Sequence, residues 1–316
     1  MKDCFGREIS YLRLSVTDLC NLRCRYCMPE TGVCKKAHSD MMTEEETLQA
    51  LSVAADLGIT KVRITGGEPL VKPNILSLCR GAARIDGMKE LCLTTNGILL
   101  PELAAPLREA GVQRINLSLD TLNPEKYRRM TGRDTLDQAL RGLDAALNAC
   151  FERVKLNCVL IGGFNDDEVP AMANLTRQYP IDVRFIELMP IHRETVFPSE
   201  AYLPCSSVLS QLSEAEAVQP DGVAACYRLP DALGTVGLIT PLSHHFCGSC
   251  SRLRLTADGM LRPCLHSPLS FSIRGLTGDA LRERFLEAIR QKPAGHNGLS
   301  PEHPSLSDRT MNQIGG

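Results

Sequence analysis

The sequence has no long apolar run: nothing approaches the roughly 18 residues of a membrane span. Its first residues, Met1-Lys2-Asp3-Cys4, hold no apolar signal core. A cytoplasmic chain is therefore expected. Charge of one sign is also lacking. The formal net charge is −2, from 35 Lys and Arg against 37 Asp and Glu. That balance excludes a general attraction to nucleic acid or to a membrane surface. An anionic substrate must be held by locally placed Arg and Lys. The sequence contains no internal repeat, no GxGxxG and no P-loop pattern, so the common glycine-rich phosphate cradles are absent.

Cysteine, by contrast, is plentiful, with 14 in 316 residues. A cytosolic chain keeps its thiols reduced, which makes clustered cysteines metal ligands rather than disulfides. Three stand at Cys20, Cys24 and Cys27, spaced C-x3-C-x2-C with no fourth nearby. Three thiolates can hold three irons of a 4Fe–4S cluster and leave one iron open. An open iron can bind a substrate and act on it, whereas a fully ligated cluster only passes electrons. Zinc would want a fourth ligand, and the nearest histidine, His38, has no second partner. A second triad follows at Cys247, Cys250 and Cys264, again without a fourth member. Here His244, His245 and His266 are close, so a zinc site stays open beside a second cluster. The other eight (Cys4, Cys34, Cys79, Cys92, Cys150, Cys158, Cys205, Cys226) read as small buried apolar residues.

A length of 316 residues suits two domains, or one large barrel with an appendage. Strand-like runs recur at Tyr11–Thr17, Lys61–Thr65, Leu91–Asn96, Arg114–Asp120, Arg153–Leu160 and Asp182–Met189. Helical patterns lie between them, at Thr43–Leu57, Pro73–Ile85, Pro101–Ala110, Asp134–Cys150 and Asp166–Gln178. Alternation of this kind means βαβ units and a parallel sheet. It fits a barrel or an open doubly wound sheet equally well.

The strand faces are more telling. One face carries Arg13, Ser15 and Thr17, then Arg63 and Thr65, then Cys92, Thr94 and Asn96, then Asn116, Ser118 and Asp120, then Lys155 and Asn157. Strands buried on both faces usually read as unbroken apolar runs, and a filled barrel core would be Val, Ile and Leu. A face that is polar in five strands predicts a lumen that holds a ligand. The last strand, with Arg184, Glu187 and Met189, alternates less cleanly. From about residue 196 the pattern changes, with a helix expected at Ser206–Glu214, strands near Tyr227 and Val236, and an amphipathic helix at Leu281–Arg290. The chain thus divides into a core, 1–195, and a smaller C-terminal region, 196–316, whose tail from Pro293 reads as irregular.

Three further motifs carry chemistry. Gly66-Gly67-Glu68-Pro69 ends the second strand, where glycines let backbone approach a ligand closely. Arg252 and Arg254 flank Leu253; in an extended segment both point one way, which suits an anionic ligand. The chain ends in Gly315-Gly316, either a flexible end or a segment slim enough to thread a channel.

These residues together resemble the radical S-adenosylmethionine (radical SAM) superfamily, and within it the GTP 3′,8-cyclase family of molybdenum cofactor biosynthesis. The resemblance implies an α/β fold, an incomplete TIM-like (β/α)6 barrel whose open side is closed by the smaller C-terminal cluster-binding region. It implies a lyase that cyclises GTP, with two 4Fe–4S clusters and S-adenosylmethionine as cofactors. Cys20, Cys24 and Cys27 match the first cluster's ligands, and Cys247, Cys250 and Cys264 the second's. Tyr26, Gly67, Ser118 and Met189 match the S-adenosylmethionine contacts. Arg13, Arg63, Thr94, Lys155, Arg252, Leu253 and Arg254 match the GTP pocket, Leu253 through its backbone, with Arg184 a further candidate for the phosphates. Arg13, Arg252, Arg254, Gly315 and Gly316 match positions at the reacting centre. The resemblance also implies a reducing electron donor and transfer of the product to the cyclic pyranopterin monophosphate synthase, with no nucleic acid or membrane partner. It leaves room for a homodimer. A peptide-modifying radical SAM maturase, a non-catalytic iron–sulfur electron carrier and a zinc-binding module are the alternatives.

Overall fold

The computed structural model describes all residues except Glu30, Cys34, Lys35, 192–196, Asn297 and Gly316, together with the side chain of His38. The division expected at 195 and 196 falls outside the described residues, as do Cys34 and Gly316.

Six strands lie side by side in chain order, all parallel: β1 (Tyr11–Ser15), β2 (Lys61–Thr65), β3 (Glu90–Thr95), β4 (Arg114–Ser118), β5 (Arg153–Leu160) and β6 (Asp182–Glu187). Helices α1 (Glu44–Asp56), α2 (Ile75–Ala83), α3 (Leu100–Glu109), α4 (Pro124–Thr131), α5 (Leu136–Asn148) and α6 (Val169–Gln178) form the crossovers. The outward strand residues Leu12, Leu14, Val62, Ile64, Leu93, Ile115 and Leu117 are buried with the helices in one core. Each such side chain contributes about 1.5–3 kcal/mol relative to exposure. Capping starts α1: Thr43 Oγ1 accepts the Glu46 N–H at 3.1 Å and Glu46 Oε2 accepts the Thr43 N–H at 2.9 Å.

The C-terminal region extends both edges of the sheet. After α7 (Ser206–Gln211), the hairpin β7 (Glu216–Asp221) and β8 (Ala224–Arg228) joins through β9 (Val236–Ile239), which pairs parallel with β6. At the other edge β10 (Arg252–Leu255) pairs parallel with β1, followed by antiparallel β11 (Met260–Arg262) and β12 (Phe271–Ser272). Helices α8 (Gly278–Arg290) and α9 (Met311–Ile314) complete the chain. The twelve-stranded sheet ends at β12 and β7 and does not close by hydrogen bonds. This is the incomplete barrel, and residues from both edges line one cavity.

Several expectations shift. Strands β1, β4 and β6 stop two residues early. At β4 the cause is visible: the Asp120 carboxylate, not a backbone carbonyl, accepts the Val159 N–H at 2.9 Å. The helix expected over 134–150 is α5 alone, and α4 before it was not anticipated. Its signals are Asn123, whose Oδ1 accepts the Glu125 N–H at 2.9 Å, Pro124 at the first turn, and Gly132 at φ +70°. The segment 166–178 opens as a 3-10 turn, Asp166–Glu168, and only then becomes α6. Helix α7 ends at Gln211 rather than Glu214. The tail is irregular from Pro293 but closes with the single turn α9, where Gln313 Oε1 accepts the Thr310 N–H at 3.2 Å. Of the eight other cysteines, Cys79, Cys92, Cys158, Cys205 and Cys226 are buried, whereas Cys4 and Cys150 are exposed. Cys150 ends its helix in a left-handed turn at φ +55°, which turns its side chain outward.

Candidate active site

The strands' polar faces enclose a cavity of about 500 Å³, within the range of small-molecule sites. Register places its charges. Arg13 pairs with Arg63 on one side and with Arg254 on the other, so three guanidinium side chains spring from one level of the sheet.

One end of the cavity is the loop after β1. The last turn of α4 supports it, through Arg23 N–H to the Thr131 carbonyl at 2.8 Å and Arg25 N–H to the Met130 carbonyl at 3.1 Å. The glycines after β2 press against it. A Cβ on Gly66 would lie 2.4 Å from the Thr17 carbonyl oxygen, and one on Gly67 would lie 2.2 Å from that of Leu19. Only glycine permits this approach. Glu68 then turns inward and accepts from Thr95 Oγ1 at 2.7 Å, the Asn96 N–H at 2.7 Å and the Leu70 N–H at 3.0 Å. Burial still pushes its carboxyl up to about 7. Tyr26 donates its hydroxyl to Asp120 at 2.8 Å.

Cys20, Cys24 and Cys27 all face the cavity. Burial raises each thiol, Cys20 to about 11 and Cys27 to about 12, and neighbouring thiolate charge adds to the rise at Cys24 and Cys27. Three half-buried cysteines whose thiolates would crowd one another suit a polycationic centre that compensates all of them at once. Among the described residues no three His, Cys, Asp or Glu side chains are grouped to hold a single metal ion. An iron–sulfur cluster is gripped at separate corners by separate thiolates.

The opposite end is built by the C-terminal region. Cys247 and Cys250 bracket a 3-10 turn, the Cys250 N–H donating to the Cys247 carbonyl at 3.2 Å, and Cys264 follows β11. Lys292, buried, donates to the carbonyls of Arg252 and Pro263 at 2.7 Å each. Burial would raise Cys250, but the charges of Lys292, Arg252 and Arg254 outweigh it and bring the thiol below its usual value. This environment favours the ligating thiolate. His266 is pushed down to about 3 by burial and by the neighbouring His296 and Arg254.

Between the two ends lie the cations. Arg63 Nε donates to the Tyr11 hydroxyl at 2.7 Å, and Lys61 and Arg252 sit over the Tyr11 ring at 5.2 and 5.9 Å. Desolvation holds Arg13 down at about 10 and Arg254 at about 9, with repulsion from Arg63 and Arg252 adding at Arg13 and from Arg13 and Arg252 at Arg254. Such crowding favours bound negative charge. Farther along, Lys155, Arg184 and Arg153 gather around Asp221.

The residues expected at the site line this cavity, Arg184 included, with three exceptions. Leu253 points to the outer core, fully buried, and offers the site only backbone. Gly315 reaches the arginines through its carbonyl, which accepts from Arg254 and, at 3.3 Å, from Arg13 Nε. Gly316 is outside the described residues. Tyr11, Asp221 and Lys292 were not anticipated. Tyr11 shares the face of Arg13 and would have been found by starting the alternation one residue earlier. Asp221 and Lys292 carry no local signal.

Two family models match the chain: the radical SAM superfamily over residues 14–176, and molybdenum cofactor synthesis C over residues 181–298. A protein of Alkaliphilus oremlandii named GTP 3′,8-cyclase is 45% identical over 321 residues, covering 100% of each chain. A GTP 3′,8-cyclase of Moorella thermoacetica is 46% identical over 327 residues, again covering 100% of each. Among solved structures, Streptococcus suis SuiB bound to S-adenosylmethionine superposes with a TM-score of 0.63 at 13% identity, covering 91% of this chain and 67% of SuiB. That last likeness concerns the fold.

Proposed function

The chain belongs to the GTP 3′,8-cyclase family of the radical SAM superfamily, and from that premise we infer that it converts GTP into (8S)-3′,8-cyclo-7,8-dihydroguanosine 5′-triphosphate. S-adenosylmethionine is cleaved reductively to methionine and 5′-deoxyadenosine, and the reaction is the first step of molybdenum cofactor biosynthesis. The observation that carries the reading is a single cavity with a cysteine triad at each end and arginines between them. The electron-carrier reading leaves that cavity without a purpose, and the cyclase reading, unlike the maturase one, is supported by relatives named GTP 3′,8-cyclase at 45 and 46% identity over the full length.

Cys20, Cys24 and Cys27 fit a 4Fe–4S cluster by donor type, by facing the cavity together and by the C-x3-C-x2-C spacing that leaves one iron without a local thiolate. When bound, the cluster supplies the electron for the carbon–sulfur cleavage. Tyr26, Gly67, Ser118 and Met189 line the same end and would hold S-adenosylmethionine. Gly67 does so by letting the backbone approach. Cys247, Cys250 and Cys264 would hold a second cluster beside the purine, with Lys292 favouring the thiolate form. Arg13, Arg63, Thr94, Lys155, Arg184, Arg252 and Arg254 would clamp GTP. The positive charge of these arginines and of Lys155 compensates the triphosphate, which the chain's net charge of −2 does not. Arg13 and Arg254 also hold the Gly315 carbonyl, which brings the tail to the reacting face and excludes water there. An external electron donor, transfer of the product to the cyclic pyranopterin monophosphate synthase, a homodimer and the division at 195 and 196 belong to the same proposal.

Anaerobic reconstitution is expected to load about eight irons, the sum of two 4Fe–4S sites. With reductant, S-adenosylmethionine and GTP, the protein should yield the cyclised nucleotide. Cleavage of S-adenosylmethionine without turnover of GTP would sink the substrate assignment.

A further inference from the structure

One carboxylate in the cavity wall has no part in the roles above. Asp221 stands at the tip of the β7–β8 hairpin, where the strand register slips between Val218 and Asp221. A single oxygen, Oδ2, accepts from Lys155 Nζ at 2.5 Å and from Arg184 Nη2, and pairs ionically with Arg153 Nη1 at 2.9 Å, whose Nε donates to Asp182. Three cationic donors converging on one oxygen match a phosphate group, which offers several oxygens to the same donors. Lys155 and Arg184 are nearly buried, and their strands β5 and β6 are each paired on both sides within the sheet. Asp221 comes from the edge: β7 is the terminal strand, and its residues are exposed or half-buried throughout. Gly222 beside it has φ +64° and open space around the Cβ position. The cations are thus fixed by the sheet, while the carboxylate arrives on a peripheral hairpin with room at its tip.

We propose that Asp221 competes with the substrate's phosphates for Lys155 and Arg184, which line the cavity with it, making it a specificity residue that admits ligands by their negative charge. The inference rests on the GTP reading for the identity of the natural ligand, but its chemistry concerns any polyphosphate. A triphosphate carries enough charge and oxygens to displace one carboxylate. A monophosphate displaces it poorly, and a nucleoside not at all. Exclusion of such ligands comes from the competing charge rather than from shape.

The test uses the anaerobically reconstituted full chain with Asp221→Asn, which keeps the shape and removes the charge. Asp221→Ser is a second neutral variant, and Asp221→Glu retains the charge. Iron content and melting temperature establish that each is folded. Calorimetric titration with GTP, GMP, guanosine and inorganic tripolyphosphate then reads the competition. Both neutral variants should bind GTP and tripolyphosphate about tenfold tighter, in line with a coupling of about 1.4 kcal/mol. GMP should gain relatively more than GTP, guanosine should not change, and Asp221→Glu should restore wild-type affinities. Unchanged or weaker tripolyphosphate binding in both neutral variants would overturn the proposal, leaving Asp221 as a residue that merely orients the cations. If GTP fails to bind even the wild type, the substrate reading falls separately. The tripolyphosphate arm still decides the role of Asp221.

Discussion

Arg254 donates a guanidinium N–H to the main-chain carbonyl of Gly315. The contact joins a strand added at one edge of the sheet to the last described residue of the tail. It lies beside Arg13, whose Nε donates to the same oxygen at 3.3 Å. The tail is anchored behind this point as well. Met311 N–H donates to the Cys27 carbonyl at 3.1 Å, and Asn312 Nδ2 donates to the Asp18 carbonyl at 3.0 Å. The same short segment therefore touches the first cysteine loop and the arginines.

The position of Gly315 predicts intolerance of any side chain. Its φ is +80°, and a Cβ would lie 2.6 Å from Thr65 Cγ2. Gly315→Ala should cost about 1 kcal/mol in backbone strain and push the carbonyl off Arg13 and Arg254. We expect iron content to stay at the wild-type level while cyclised nucleotide falls at least tenfold, by the reach of a displacement near 1 Å. S-adenosylmethionine cleavage should continue, so the ratio of 5′-deoxyadenosine to cyclised product rises. An unchanged ratio would remove the tail from the reacting centre.

Asp258 offers a way to loosen the tail from a distance. It accepts from Lys36 Nζ at 2.5 Å and from Arg309 Nη1 at 2.8 Å, linking the first cysteine loop, the β10–β11 turn and the tail. Asp258→Asn removes the ion-pair partner of Arg309 and leaves Lys36 only the longer pair with Asp18 at 3.7 Å, for a loss of about 1–2 kcal/mol after allowance for solvent screening. Proteolysis within 300–310 should quicken, and the melting temperature should fall. The folded carboxyl sits below its ordinary value despite desolvation, because Arg309, Lys36 and Thr256 favour its charged form. Its contribution is present above the unfolded carboxyl pKa and is lost as pH falls through the folded one. The gap between wild type and Asp258→Asn should accordingly close on acidification. A gap independent of pH would contradict the electrostatic account.

Tyr11 reports the charge of the arginine group. Burial alone would raise its phenol, but the charges of Arg63, Arg13 and Arg252 overcome that and bring it down to about 8. An ultraviolet titration should find one of the six tyrosines ionising near 8. Arg63→Gln should move that transition upward. The folded value lies below the unfolded one, about 10, so folding stability should rise between the two and lose that increment as pH falls through about 8. All tyrosines titrating together in the ordinary range would contradict the crowding of cations around the phenol.

Much of the site was legible before folding was considered. A strand turns its side chains to alternate faces with a period of two, so Arg13, Arg63, Thr94, Ser118 and Lys155 could be placed in the lumen from alternation within short runs. The C-x3-C-x2-C triad and the Gly66-Gly67 turn are likewise local, since each lies within one loop and its spacing carries its meaning. Strand ends were harder to read. Where Asp120 takes the Val159 N–H, a side chain replaces the ladder, and nothing in the run announces it.

The amino-acid sequence by itself determined which side chains face inward, which cysteines are spaced as triads and where glycine is needed. Tertiary structure decided who stands beside whom. That Arg254 neighbours Arg13 follows from β10 joining the sheet at the β1 edge, across more than half of the chain. That Asp221 meets Lys155 and Arg184 follows from β9 joining at the opposite edge and carrying its hairpin with it. Gly315 reaches both arginines only because the tail docks on the loop that holds Cys27. Side-chain direction is set by local backbone geometry and repeats along a run. Edge choice and register depend on contacts between segments distant in the chain, and no periodicity within either segment encodes them.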